Sequence, residues 1–309
     1  MNDVVRKPRL ALAAGLLMPG LGQLYLGDLP RGLCFLLGVA LAVPGATHLA
    51  LCGPPQLLCF FVFAGVVGAT TLYLWSACDA WRSARRAPTG VLRTWQRPNV
   101  YALYVVVSYV FVLAPCTTSV RKDLLEAFVV PTASMSPGIW QGDRIFADKT
   151  VGQPGGTKLW RGALAVFVYP NDRTSTFIKR VIGLPGDHVE IDGPNVRVNG
   201  RNVSQGPINE PIPSSLAGLQ AFRERGDRGS YTVLWSPNDA RPSSARPPES
   251  FVVPDGQVLV LGDNRSASVD SRRFGTVPVA DIKGIARQVW FSASKRDGIR
   301  WARIGKVLG

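Results

Sequence analysis

The sequence predicts N-terminal transmembrane α-helices followed by an all-β domain, and three observations carry that reading. Before residue 120 the apolar residues gather into long runs, three of which reach the ~20 residues a helix needs to cross a bilayer. Beyond it, short runs rich in β-branched and aromatic residues alternate with Gly, Pro, Asp and Asn, the punctuation of strands. All five cysteines (Cys34, Cys52, Cys59, Cys78 and Cys116) lie in or beside the apolar part, and the later chain has none. A length of 309 residues leaves room for about two domains.

The membrane part is expected over residues 1–120, with spans at 33–51, 57–77 and 100–120. Residues 10–26 are also apolar, but Pro19, Gly20 and Gly22 interrupt them. They read as an interfacial or re-entrant helix, or as a fourth span. Arg6, Lys7, Arg9 and Arg31, with Arg82, Arg85, Arg86, Arg93 and Arg97 of the 79–98 loop, mark the cytoplasmic side under the positive-inside rule. Three spans then leave residues 121–309 extracytoplasmic. His48 falls within a span and reads as structural. In PGLGQLYLGDLPRG the glycines suggest a tight helix–helix turn.

The later domain should hold strands near 128–131, 144–149, 163–169, 177–183, 188–191, 196–199, 231–235, 251–253, 258–261 and 286–292. Residues 205–250, rich in Pro, Ser, Arg and Gly, read as a variable insertion or a long hairpin with variable loops. The net charge of +14 is accounted for by cytoplasmic loops and forms no aromatic-interleaved patch, so nucleic acid is not expected. No Cys/His spacing suggests a metal, and no cofactor is implied.

A serine hydrolase needs a base for its nucleophile. The chain has two histidines, His48 in the membrane part and His188 in a turn–strand context, so a Ser-His-Asp triad is not expected. Lys179 is the alternative, because it lies in an apolar strand with Phe177 on its own face and Ile178 and Arg180 on the other. To act as base its pKa must fall from about 10.4 toward 7–8. That costs the ammonium about 4 kcal/mol, which burial can supply. On the strand alone, an ordinary lysine whose amine reaches water fits as well.

PTASMSP, QGDRIFADK, FIKRVIGLPGDHVEI and LGDNRSASVDSRRFGTVPVADIKGIARQVWFS occur in that order after an apolar run. Together they resemble the boxes of bacterial type I signal peptidases, over roughly residues 120–200 and 250–309. The resemblance implies signal-peptidase-like coiled antiparallel sheets in a multi-pass protein of the bacterial cytoplasmic membrane. It implies a Ser/Lys dyad of Ser134 as nucleophile and Lys179 as general base, working through an acyl-enzyme. Thr132 and the Ser134 N–H would form the oxyanion hole. Ser268 would hydrogen-bond and orient the lysine, and Asp270 and Arg272 would brace that loop. Asp263, Asn264 and Arg265 would shape the turn. Val130, Met135 and Ile178 would line shallow pockets for an Ala-x-Ala cleavage site.

The implied partners are exported preproteins, membrane phospholipid and the secretory translocon. Trp290, Phe291 and Trp301 would rest on lipid or pack in the core. The sequence departs from the family pattern at Pro137-Gly138, where the glycine is expected to loosen the turn beside the nucleophile. It departs again at Arg161-Gly162-Ala163 and at Ser266-Ala267. A peptidase dedicated to one pilus or conjugation substrate fits the same residues. A non-catalytic membrane assembly factor does too, but would have no need to keep Ser134, Lys179, Thr132 and Ser268 together.

Overall fold

A computed structural model describes residues 3–87, 89–91, 93, 96–153, 156, 158–209, 216–240 and 248–309. The chain divides into two compact units, Met1–Leu124 and Leu125–Gly309.

In the first unit, three helices are long and apolar enough to cross a membrane: Leu29–Cys52, Pro55–Arg86 and Pro98–Leu124. Each extends beyond the run read from hydropathy, because its ends carry Pro, Arg or Asp that a hydropathy window discards. The third is not uniform: a π-helical stretch, Ser108–Leu113, precedes Pro115. Proline lacks the N–H and crowds the carbonyl four residues back, and a wider turn accommodates both.

The segment 10–26 is a hairpin. Helix α1 (Pro8–Leu17) spans ten residues, about 15 Å and half a bilayer core. The chain turns at Pro19-Gly20, and α2 (Leu21–Tyr25) returns along it. The Lys7 backbone N–H donates to the Tyr25 hydroxyl at 3.1 Å, so the two ends of the hairpin meet. The segment therefore folds back on itself and is not one continuous helix. Three further helices surround it: α3 (Leu29–Cys52), α4 (Leu58–Arg86) and α5 (Pro98–Val107), with α6 (Ala114–Ser119) beyond. Gly22 seats against Ala80 of α4 and Gly20 against Gly32 of α3, the tight packing expected of these glycines. Buried Gln23 reaches the Ser76 carbonyl and Asp79, and Arg31 pairs with Asp79 at 2.5 Å. His48 lies on α3, 3.9 Å from the Cys52 sulfur. A two-stranded ribbon of β1 (Asp3–Val5) and β2 (Thr89–Val91) joins the chain start to the loop after α4.

In the second unit, among the described residues, every pairing of one strand with another is antiparallel. The strands are β3 (Leu125–Val129), β4 (Asp143–Asp148), β5 (Leu164–Val168), β6 (Thr176–Gly183), β7 (His188–Asp192), β8 (Asn195–Val198), β9 (Arg201–Asn202), β10 (Ser204–Ile208), β11 (Gln220–Gly226), β12 (Gly229–Trp235), β13 (Glu249–Val252), β14 (Gln257–Leu261), β15 (Val277–Pro278), β16 (Ile282–Ser294) and β17 (Gly298–Ile299). The main sheet runs β15-β14-β6-β5-β16-β4-β3, with β17 on β16. Smaller sheets run β13-β7-β8-β9 and β10-β11-β12.

The thirteen residues of β16 pair with β5 at one end and β4 at the other, with register shifts along the way. Such bulges add twist and let one strand serve two directions, so the sheet curls. Within 205–250, β11 and β12 form a hairpin, the second of the two readings of this segment, while 210–215 and 241–247 lie outside the described residues. The apolar faces pack into three clusters, and one of them (Val130, Met135, Ile139, Ile145, Leu164, Val166) underlies the loop after β3.

Candidate active site

Ser134 stands in the irregular loop between β3 and β4, and the two sides of that loop fix its place. Beneath it, fully buried Met135 and Ile139 anchor the backbone in the core. Beside it, the turn after β14 docks: the Asn264 N–H donates to the Ser134 carbonyl at 3.0 Å, and the Asn264 amide reaches the Ala133 carbonyl.

Lys179 comes from β6. Its Nζ lies 2.7 Å from Ser134 Oγ and 5.8 Å from the centre of the Phe177 ring. The side chain is 4% exposed. Burial pushes its pKa down to about 8; Asp270 and Asp263 pull the other way, and Arg272 reinforces the fall. An amine with that pKa is neutral in a useful fraction near neutral pH. Thr132 Oγ1 lies 3.2 Å from Ser134 Oγ. The Ser134 N–H has no hydrogen-bond partner among the described residues.

The turn after β14 carries the supporting groups. Asp270 is fully buried, pairs with Arg272 at 2.8 Å and accepts from the Gly262 N–H at 2.9 Å. It also caps α7 (Ser271–Phe274). Burial raises its pKa, but Arg272, Gly262 and Ser268 outweigh burial and hold it below the usual range. Arg272 donates onward to the Arg265 carbonyl at 2.6 Å.

The expected bond from Ser268 to the lysine is not formed. Among the described residues the Ser268 hydroxyl is buried without a hydrogen-bond partner, and it lies on the Asp270 side, where it helps to lower that carboxyl's pKa. Crowding explains where it sits: a Cβ at Gly262 would stand 2.1 Å from Ser268 Oγ and 2.8 Å from the Ser134 carbonyl. Gly262→Ala is therefore expected to lower kcat/KM more than tenfold and to cost about 1–3 kcal/mol, the usual range for overpacking. Kinetics and thermal unfolding of the variant check this, and wild-type values would show that the turn can shift at no cost.

Beside the dyad lies a cleft of about 330 Å³, walled by Phe128, Val130, Ile145, Val166 and Ile178 and bordered by Ala267 and Val269. Val130 and Ile178 stand on it, as their positions suggested. Met135 does not: it is fully buried behind the wall, in the same core cluster as Val130 and Ile145. A side chain in a tight turn follows no strand alternation, so its direction could not be read from spacing.

Several partners escaped the sequence reading. Asp263 does more than shape its turn, since it holds Arg180 through bonds of 2.6 and 2.7 Å with both side chains buried. Arg265 holds Glu224 of β11 through bonds of 2.5 and 2.6 Å, again fully buried. Behind the nucleophile, the Gly138 carbonyl accepts from Arg303 at 3.1 Å and Lys306 at 3.2 Å, so the turn expected to be loosened by Gly138 is tied. His188 bonds Ser250 and faces Glu190 in a separate sheet. Trp301 is 73% exposed, whereas Trp290 stacks on Phe146 at 5.7 Å. Among the described residues no group of His, Cys, Asp and Glu could hold a metal ion.

A buried lysine against a serine hydroxyl in a curled β domain defines a serine peptidase class. The model of the family described as signal peptidase, peptidase S26, matches residues 102–291. Signal peptidase I of Rickettsia typhi is 30% identical over 208 residues, covering 60% of this chain and 78% of that protein. Signal peptidase I of Pseudomonas aeruginosa is 30% identical over 198 residues, covering 56% and 66%. A solved signal peptidase I from Enterococcus faecalis is 26% identical, covers 42% of this chain and 97% of that one, and superposes with a TM-score of 0.27. The chain belongs to the signal peptidase family, peptidase S26, and is a serine peptidase, a hydrolase.

Proposed function

We propose that this chain cleaves signal peptides from exported preproteins at Ala-x-Ala sites by a Ser134/Lys179 dyad. The observation that carries the reading is the 2.7 Å contact between a buried amine and a hydroxyl at the mouth of an apolar cleft. The neutral Lys179 amine takes the Ser134 proton as Oγ attacks the scissile carbonyl carbon. Charge developing on the carbonyl oxygen meets the unpartnered Ser134 N–H and the Thr132 hydroxyl. One such donor contributes about 3–4 kcal/mol to transition-state stabilisation. The C–N bond then breaks, the leaving amine takes the proton from Lys179, and an ester on Ser134 remains. Lys179 next draws a proton from water, whose oxygen attacks the ester carbon; the carbon–Oγ bond breaks, Lys179 returns the proton to Ser134 Oγ and the acid leaves.

Asp270 and Arg272 act on the amine through their charge rather than react. The cleft suits small side chains because its walls are packed aliphatic groups with little room to yield. β3 closes one end of its sheet, and its outer edge is free to pair with an extended substrate. In this reading the three long helices cross the bacterial cytoplasmic membrane and the basic loops lie inside. The second unit acts on the outer face, where Ser134 follows the last apolar helix by ten residues. Phospholipid and the secretory translocon are its surroundings there.

The test is cleavage of a preprotein carrying an Ala-x-Ala site, in detergent with phospholipid, by wild type and Ser134→Ala. Wild type should cut at that site and the variant should fall by at least about 10⁴-fold, the scale for loss of a nucleophile acting as part of a unit. An active Ser134→Ala would remove Ser134 from the mechanism. An inactive wild type would reject this substrate class.

A further inference from the structure

The first unit carries a cavity of about 610 Å³ that the peptidase chemistry does not use. Its walls hold Arg6, Lys7 and Arg9 from the start of the chain and Arg85 from the end of α4, with Trp81 and Leu10 between them. None of its lining residues is acidic. None of the four cations forms an ion pair among the described residues.

The positive-inside rule accounts for basic residues on this side of the protein, but not for four of them bordering one hollow. Three separate contacts hold the chain start, Arg6 and Arg85 in place. Pairing of β1 with β2, in the register Val4↔Gly90 and Val5↔Thr89, pins the chain start to the loop after α4. The Arg6 guanidinium lies across Gly90 so closely that a Cβ there would stand 2.4 Å from Arg6 Nη2. The Arg85 guanidinium lies 4.8 Å from the centre of the Trp81 ring. Like charges gathered without counter-ions repel, and an anion is what relieves them. The apolar side of the cavity, Leu10 with the face of Trp81, suits a molecule that is charged at one end and greasy at the other.

We propose that this cavity binds the phosphate headgroup of an anionic phospholipid of the cytoplasmic leaflet. The proposal rests on the membrane orientation given above. Basic pockets beside membrane helices on that side are suited to such headgroups. The lipid would staple the chain start to the loop after α4 and so hold the hairpin, whose ends meet at Lys7 and Tyr25, in its place.

The test titrates the full chain, in neutral detergent, with phosphatidylglycerol and with phosphatidylcholine, counting bound lipid by native mass spectrometry. Phosphatidylglycerol should bind at least tenfold more tightly. The triple variant Arg6→Gln/Arg9→Gln/Arg85→Gln should lose that preference, while Arg6→Lys/Arg9→Lys/Arg85→Lys keeps it. The control Arg86→Gln/Arg93→Gln/Arg97→Gln removes the same charge outside the cavity and should change binding less than twofold. Equal loss in the cavity and control variants would overturn the site in favour of diffuse attraction, and equal binding of the two lipids would overturn it outright. Displacement of the lipid by glycerol phosphate at matched concentration would assign the cavity to a soluble phosphate instead. A wild-type chain recovered in the soluble fraction would overturn the membrane reading itself; a membrane-bound chain without headgroup preference would overturn only the site.

Discussion

Lys179→Met is expected to abolish turnover and to stabilise the protein at pH 7. Lys179 is 4% exposed and its amine has a pKa of about 8 when folded, against an ordinary value of 10.5. Below pH 8 the lysine is charged in both states, and the folded protein bears the full cost of a buried ammonium, about 3 kcal/mol. Between about pH 8 and 10.5 only the unfolded chain carries the proton, so stability rises with pH across that window. Methionine removes the cost and the rise together. Thermal unfolding of the full chain in detergent at pH 7 and pH 10 should show the variant more stable at the lower pH and the two proteins alike at the higher. The wild-type kcat/KM should climb through an inflection near pH 8 and be roughly a hundredfold lower at pH 6 than on its plateau, following the neutral fraction of the amine. A profile flat across that range would exclude Lys179 as the base.

Glu224→Met should destabilise the protein by about 3–5 kcal/mol, because it strands the Arg265 guanidinium in a site with no exposure. The effect should reach the active site. Arg265 Nε donates to the Gly262 carbonyl at 3.0 Å, and the next residue back, Asn264, ties the Ser134 carbonyl. The variant is therefore expected to lose kcat more than it raises KM. The double variant Glu224→Met/Arg265→Met should recover most of the stability, since two apolar side chains of similar volume can replace a buried pair. Unfolding curves and steady-state kinetics on the three proteins decide the matter. A single variant as stable as wild type would show that water or another group already compensates Arg265.

Much of the scaffold could be read from composition and spacing, because strand and span signals are local. Each of the ten expected strand positions overlaps a strand of the structure, and the three apolar runs lie within the three long helices. β11, the partner of the expected 231–235 strand, went unread because Arg223, Glu224 and Arg225 mask the burial of Ala221 and Phe222. At the site, Ser134 and Lys179 were legible through motifs, and the low exposure of Lys179 through its apolar strand. Glu224, Arg303 and Lys306 were not, since each meets the site through a contact made only when distant strands assemble. The same holds for Met135, whose direction depends on the turn and not on a period. For residues 10–26 hydropathy could not separate a hairpin from a span, because both bury apolar side chains. The bond between Lys7 and Tyr25 distinguishes them.

The ties on the Gly138 carbonyl set an order of assembly. Arg303 and Lys306 follow Gly138 by 165 and 168 residues. A chain emerging from the ribosome therefore presents its serine, and then its lysine, long before the groups that brace the turn behind the serine exist. In each new copy Ser134 and Lys179 are thus already made before either tie on the Gly138 carbonyl can form.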